Sequence, residues 1–218
     1  MRFRDRREAG RLLAQRLEWL RGQDVVVLGL PRGGVPVAAE AARMLGAPLD
    51  VIVVRKVGVP YQPELAMAAV GEGGVVVVND RVLGLARVEP EELERAEKRE
   101  RAELESRVAR YRGGRRRIPL TGRTVVVVDD GIATGSTARA ACAVARALGA
   151  ARVVLAAPVC AQEAAQRLAA DVDELVCLET PGNFRAVGQF YGDFRPTEDS
   201  EVIDLLAPAA GSAAGGAE

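Results

Sequence analysis

Hydrophobic positions along this chain come in short unbroken runs. The clearest are "DVVVLGL" (24–30), "LDVIVV" (49–54), "VVVV" (75–78), "TVVVVDD" (124–130), "ARVVLAAPV" (151–159) and "DELVCL" (173–178). Continuous β-branched residues suit strands buried on both faces of a parallel sheet, where neither face meets water. Between several runs the apolar spacing becomes helical, at Val35–Leu45, Ser136–Leu148 and Gln162–Ala169. Gly46 and Gly149 then stand where a helix ends in a left-handed residue. Strand, turn, helix, strand predicts an α/β fold with a doubly wound, mainly parallel sheet and helices on both faces. Right-handed crossovers gather the strand-to-helix turns on one sheet edge, and a site is expected there.

Other segments interrupt that grammar. Residues 66–80 read as a hairpin turning at Gly73–Gly74. Residues 90–112 read as a long charged helix with Pro90 at its first position. Its apolar residues Leu93, Ala96, Leu104, Val108 and Tyr111 form a thin stripe, so most of its surface faces water or a partner, such as a second copy in a homodimer. A helical and hairpin insertion is thus expected over 66–117 and a small C-terminal hood over 180–206. The stretch 207–218, "APAAGSAAGGAE", is low-complexity and predicted to be disordered, leaving 1–206 as a single domain.

Composition narrows the chemistry. There is no histidine, which excludes serine–histidine and cysteine–histidine catalysis and histidine metal sites. A divalent metal would need oxygen ligands, which favours Mg2+. Proton transfer would fall to a carboxylate, lysine, tyrosine, water or the substrate. Thirty basic residues balance thirty acidic ones, so no overall charge draws the chain to nucleic acid or a membrane. Cys142, Cys160 and Cys177 form no CxxC pair and read as buried small side chains. The charged N-terminus lacks the apolar core of a signal peptide and no run is long enough to span a membrane, so the expected location is cytoplasmic.

The chemistry concentrates in "VVVVDDGIATGSTARA", Val125–Ala140, where a strand ends in two carboxylates, a small-residue loop follows and a helix begins. Small residues let backbone amides approach an anion, and Thr134, Ser136 and Thr137 add hydroxyl donors. Two acids beside a phosphate nest suit a ligand carrying a cis-diol next to its phosphate, as ribose 5-phosphate does. No lysine precedes Ser136–Thr137, so this is not a Walker A loop, nor is it a GxGxxG fingerprint.

The segment "VVVVDDGIATGST" resembles the motif by which type I phosphoribosyltransferases bind 5-phosphoribosyl-1-pyrophosphate (PRPP). The resemblance implies that Asp129 and Asp130 bind the ribose 2- and 3-hydroxyls and contact Mg2+ mainly through substrate or water. It implies that Gly131, Ala133, Thr134, Gly135, Ser136 and Thr137 cradle the 5-phosphate. "PRGG" (31–34) is on its own either a plain turn or a second anion site, with Gly33 and Gly34 amides and a bidentate Arg32. It resembles the family's pyrophosphate loop.

Arg55 and Lys56 follow a strand and precede Gly58, Pro60 and Pro63. They read either as a solvated pair or as a cationic arm for the pyrophosphate. Their spacing resembles adenine-type members, in which this region leads into a mobile loop that closes over the site and excludes water. The implied reaction is displacement of magnesium pyrophosphate from C1 of the ribose by a nitrogen acceptor, such as a nucleobase, through an oxocarbenium-like transition state. Arg32 and Lys56 would neutralise the leaving group, while Asp129 and Asp130 hold the sugar.

Ala133 occupies the place where hypoxanthine–guanine-type members carry a purine-contacting acid, which argues against a 6-oxopurine held by that device. In the hood, Phe184, Phe190 and Tyr191, with Phe194, either stack on the acceptor or pack a small lobe. Glu64 is a candidate for proton transfer. The competing function is a regulator that senses PRPP or a nucleotide and binds nucleic acid through "RYRGGRRR" (110–117). The glutamate-rich helix beside that run favours a solvated linker instead.

Overall fold

The computed structural model describes residues 2–207, so of the tail expected at 207–218 only Ala207 is described. The strands are β1 (Val25–Gly29), β2 (Leu49–Val51), β3 (Val54–Val59), β4 (Gln62–Gly71), β5 (Val76–Val78), β6 (Thr124–Val128), β7 (Arg152–Val159) and β8 (Glu174–Glu179). The helices are α1 (Arg6–Arg16), α2 (Gly34–Leu45), α3 (Asp80–Ala86), α4 (Pro90–Arg112), α5 (Ser136–Ala147), α6 (Gln162–Leu168) and α7 (Asp199–Leu206).

Five strands form one parallel sheet in the order β2-β1-β6-β7-β8, as the valine runs predict. Alternate residues of β6 serve different cores, Val125 and Val127 on one face and Val126 and Val128 on the other. Burying each valine is worth roughly 1.5–3 kcal/mol, so the run holds the sheet between its two helix layers. Helices α5 and α6 cover the first face, through Ala141, Ala145, Ala164 and Leu168. Helices α1 and α2 cover the second, through Leu13, Val37 and Ala41. Gly46 and Gly149 are left-handed as expected, at φ 66° and 93°.

Helix α1 answers to no element read from the sequence, because its arginines and glutamate mask a short buried face. Asp5 caps it by accepting from the Glu8 amide at 2.8 Å. A Cβ on Gly10 would lie 2.7 Å from the Val37 carbonyl oxygen, so the two helices meet at backbone contact. That packing brings Arg6, in the first turn of α1, to the sheet edge.

The 49–54 run splits in two: Leu49–Val51 joins the parallel sheet, and Val54 opens a separate antiparallel sheet ordered β3-β4-β5. The hairpin expected at 66–80 is present, with Gly73 and Gly74 at φ 69° and 79°, but its first strand begins at Gln62. The region expected as a mobile loop is a β3–β4 hairpin in which Val59 pairs with Gln62 across Pro60–Tyr61. Gly58 marks the register shift, where a Cβ would clash with the Pro63 carbonyl at 2.3 Å. Gly58, Pro60 and Pro63, read as loop signals, therefore build a bulge and a turn.

Helix α4 starts at Pro90 as expected, within a Glu89–Glu92 capping box. Its stripe packs within the chain: Ala96, Leu104 and Tyr111 are buried, in one cluster with Val57, Val59, Met67 and Val202. Arg112 anchors its C-terminal end between two buried acids. It donates through Nε to Asp50 at 2.9 Å, through Nη1 and Nη2 to Glu72, and to the Val51 carbonyl at 3.0 Å. "RYRGGRRR" is thus no plain solvated linker. Arg110 pairs with Asp199 at 2.8 Å, and Arg115 donates to the Leu206 carbonyl.

Candidate active site

Strand β6 ends at Val128 and the chain leaves the hydrophobic sheet through Asp129 and Asp130. Each acid has one oxygen bound by the protein. Asp129 Oδ1 accepts from the Asp130 amide at 2.9 Å, and Asp130 Oδ2 accepts from Arg6 Nε at 2.8 Å. The Asp130 amide also bears on its own carboxyl, and among the described residues no side chain donates a hydrogen bond to Asp129 Oδ2 or Asp130 Oδ1. Burial, then the neighbouring Asp130 charge, pushes the Asp129 carboxyl up to about 8. Burial also raises Asp130, and Arg6 opposes that rise through charge and hydrogen bond.

The "PRGG" turn lies directly against this pair. The Leu30 amide donates to the Val128 carbonyl at 2.8 Å. A Cβ on Gly33 would fall 2.0 Å from Asp130 Oδ2, and one on Gly34 would fall 2.5 Å from the Val128 carbonyl oxygen. Only glycines permit that approach. They leave the turn and the two acids as adjoining walls of one site.

Residues 131–137 continue it. The Ile132 amide donates to Val159 at 2.8 Å, and its carbonyl accepts from Ala161 at 2.8 Å, fixing the loop to the β7 end. Gly135, at φ 78°, turns the chain into α5, whose amino-terminal amides then face the loop. The Thr134 and Ser136 hydroxyls lie 3.3 Å apart, and Ala133, Thr134 and Thr137 are exposed. Val187 of the hood roofs Gly131, where a Cβ would come within 2.3 Å of its methyl.

The expected cations divide. Lys56 Nζ donates to Ser136 Oγ at 3.2 Å, on the phosphate-loop side and not beside the "PRGG" turn. Arg55, next in strand alternation, faces away and pairs with Glu100 at 2.8 Å and Glu103 at 2.7 Å on α4. Arg32 is nearly half exposed, with Nη1 3.8 Å from Asp199 Oδ1. Asp199 also accepts from Arg110 at 2.8 Å and the Tyr111 hydroxyl at 3.1 Å. Glu64 lines a cleft of about 690 Å³ between the hairpin and α4, with Lys56, Arg95, Arg99 and Glu100.

The hood aromatics pack more than they present. Tyr191 is 2% exposed, its ring 5.4 Å from Phe3 and 5.0 Å from Phe194, so it offers no face for stacking on a base. Its hydroxyl donates to the Asp130 carbonyl at 2.5 Å, and burial pushes that phenol well above its usual range. Phe184 and Phe190 remain half-buried, 5.4 Å apart. Arg6 and Asp199 went unread in the sequence, because each sits in a charged stretch and gains meaning only from its partner in the fold.

A family model of the phosphoribosyl transferase domain matches residues 5–195. The chain belongs to this family. Its parallel sheet with flanking helices is accordingly a phosphoribosyltransferase fold of type I, as the Val125–Thr137 resemblance implies. Two Mycobacterium tuberculosis relatives, provisionally named phosphoribosyl transferases, are each 57% identical over 204 residues. Those alignments take in 94% of this chain and 46% of theirs, so the chain spans less than half the length of the curated relatives it matches. The crystal structure of TT1426 from Thermus thermophilus superposes with a TM-score of 0.88 at 50% identity, covering 94% of this chain and 98% of that one. The matched region of this phosphoribosyl transferase domain runs from Asp5, the cap of α1, to Arg195 in the hood. Among its described residues, no helix is long and apolar enough to cross a membrane.

Proposed function

We propose that the chain transfers the ribose 5-phosphate of PRPP to a nitrogen acceptor and releases pyrophosphate. One observation carries the reading. Two carboxylates, each with an uncommitted oxygen, stand between a glycine turn in contact with them and the amino-terminal end of α5. A ribose with two hydroxyls, a 5-phosphate and a 1-pyrophosphate presents matching groups in matching order. Asp129 Oδ2 and Asp130 Oδ1 would each accept from one ribose hydroxyl. Residues 133–137 with Lys56 would take the 5-phosphate, and the Gly33 amide with Arg32 the pyrophosphate; the Gly34 amide, read as a second donor, is instead spent on the Leu30 carbonyl at 2.9 Å.

In the reaction the acceptor nitrogen bonds to C1 as the C1–O bond breaks. The bonding pair leaves with pyrophosphate, and the acceptor gives up a proton. Nothing in these steps calls for histidine. Neutralising the departing charge and holding the sugar carry most of the catalysis. The donor set suits Mg2+ held largely by substrate oxygens and water: two carboxylates, with no cluster of three or more potential metal ligands among the described residues. The cation would supply charge neutralisation at the pyrophosphate. On the acceptor side, Val187 over Gly131 is an apolar contact beside the acids that would suit a planar nitrogen heterocycle. The regulator reading rests on an arginine run in which Arg112 is buried and Arg110 and Arg115 have partners within the fold, while Arg116 is exposed.

A screen of bases, amines and small nitrogen heterocycles with PRPP and Mg2+, read by pyrophosphate release, tests the proposal. Acceptor-dependent release supports it. PRPP failing to bind, or binding without release on any acceptor, counts against transfer.

A further inference from the structure

The geometry points to Arg6 as a positioning residue that aims Asp130 at the ribose diol, through a cation site built jointly by α1 and the hood. The inference rests on the PRPP reading and adds a residue that the PRPP motif does not contain.

Arg6 comes from 124 positions away and is held on three sides. Its Nε donates to Asp130 Oδ2 at 2.8 Å, and its Nη1 to the Arg195 carbonyl at 2.8 Å. Its guanidinium carbon lies 4.1 Å from the centre of the Phe194 ring. Its side chain is only 12% exposed and that of Asp130 13%, so this pair is not a surface contact averaged by solvent. In such surroundings a charge-assisted hydrogen bond fixes orientation as well as charge.

The consequence lies in which oxygen Arg6 takes. Oδ2 is the Asp130 oxygen on the Gly33 side. With Oδ2 held there, the carboxylate cannot rotate freely, and Oδ1 is the oxygen left for a ligand. Asp129 is restrained in the same manner by the Asp130 amide, leaving its Oδ2. Two fixed carboxylates with one free oxygen each form a rigid acceptor pair for two adjacent hydroxyls. Rigidity matters because affinity for a diol depends on not having to order both acids on binding.

Arg6 also reports on assembly of the domain. The hood returns to α1 through paired backbone bonds: the Phe3 amide to Phe190 at 2.7 Å, and the Gly192 amide to Phe3 at 2.7 Å. The Arg6 fork joins both segments to the ribose acids, so closing the hood and aiming Asp130 are one structural event. Lysine could keep the charge, but its single ammonium lacks the planar fork that meets Asp130 and Arg195 at once.

The test is binding of ribose 5-phosphate against 2,3-dideoxyribose 5-phosphate, by calorimetry, to the wild-type chain, Arg6→Ala and Arg6→Lys. The wild-type chain should favour the diol by about tenfold or more. Arg6→Ala should cut that ratio by about threefold or more, toward what Asp129 alone confers, while leaving the dideoxy compound's affinity unchanged, and Arg6→Lys should fall between. A general structural role would instead weaken both ligands together, and that result overturns the inference. So does an unchanged ratio in both variants. If Arg6→Ala does not fold, a folded Arg6→Lys with the wild-type ratio overturns it alone. If the wild-type chain binds PRPP with Mg2+ but neither compound, the role of Arg6 at the diol falls and the PRPP reading stands; if PRPP does not bind either, both fall.

Discussion

Lys56 Nζ meets Ser136 Oγ at 3.2 Å, joining the β3–β4 hairpin to the first residue of α5 across 80 positions. If the site takes PRPP as proposed, the contact puts the lysine on its 5-phosphate side. That phosphate keeps its charge from substrate through transition state, so a cation beside it binds both about equally. Lys56→Ala should therefore weaken PRPP binding by about tenfold, or about 1.4 kcal/mol, with kcat changed by less. Calorimetric titration beside turnover measures both. A loss confined to kcat would place Lys56 on the departing pyrophosphate instead.

Gly33 stands against Asp130 with no room for a side chain. A methyl group there would lie 2.0 Å from Asp130 Oδ2, the oxygen that Arg6 holds. Gly33→Ala must push the turn or the carboxylate aside. PRPP affinity should fall by at least about tenfold, while thermal stability, set mainly by the β6 core, changes little. PRPP-dependent melting shifts measured on both proteins check this. Wild-type shifts in Gly33→Ala would separate the turn from the ligand site.

Arg112 offers a stability test away from the chemistry. It lies 5% exposed between Asp50 and Glu72, also buried, and ties the end of α4 to β2 and the hairpin loop. Arg112→Ala strands two buried carboxylates and should cost about 3–5 kcal/mol by urea unfolding. Arg116→Ala, at an exposed position in the same arginine run, should change it by less than about 0.5 kcal/mol.

The parallel sheet was legible because the valine runs carry their own signal: burial on both faces leaves no polar position to blur it. The strand–acids–loop–helix order around Asp129–Thr137 was legible for a related reason, since its parts are contiguous. What the sequence hid depends on pairing over distance. Arg6 stands beside Arg4, Asp5, Arg7 and Glu8, and nothing local marks it as the partner of Asp130. Arg55 and Lys56 look alike as neighbours, yet strand alternation sends one to α4 and the other to Ser136. The loop reading of Gly58, Pro60 and Pro63 failed because a bulge and a tight turn use the same residues as an irregular loop.

Asp129 gives the pH test. Its carboxyl sits at about 8 in the folded chain, against about 3.8 ordinarily, chiefly because burial disfavours the charge and secondly because Asp130 repels it. The folded state then holds a proton that the unfolded state has already released between those values. Stability follows the proton difference, so this group makes the unliganded chain less stable as pH rises from about 4 to about 8. Asp129→Asn removes the titration while nearly preserving shape. Without PRPP or Mg2+, the variant should melt above the wild-type chain at pH 8 to 9, and the gap should close as pH falls toward 4. Its melting temperature should respond less to PRPP, because a neutral amide is a weaker acceptor for a diol hydroxyl than a carboxylate. Melting curves across that range, with and without ligand, decide the matter. A gap that does not vary with pH would mean that Asp129 is already charged in the folded chain.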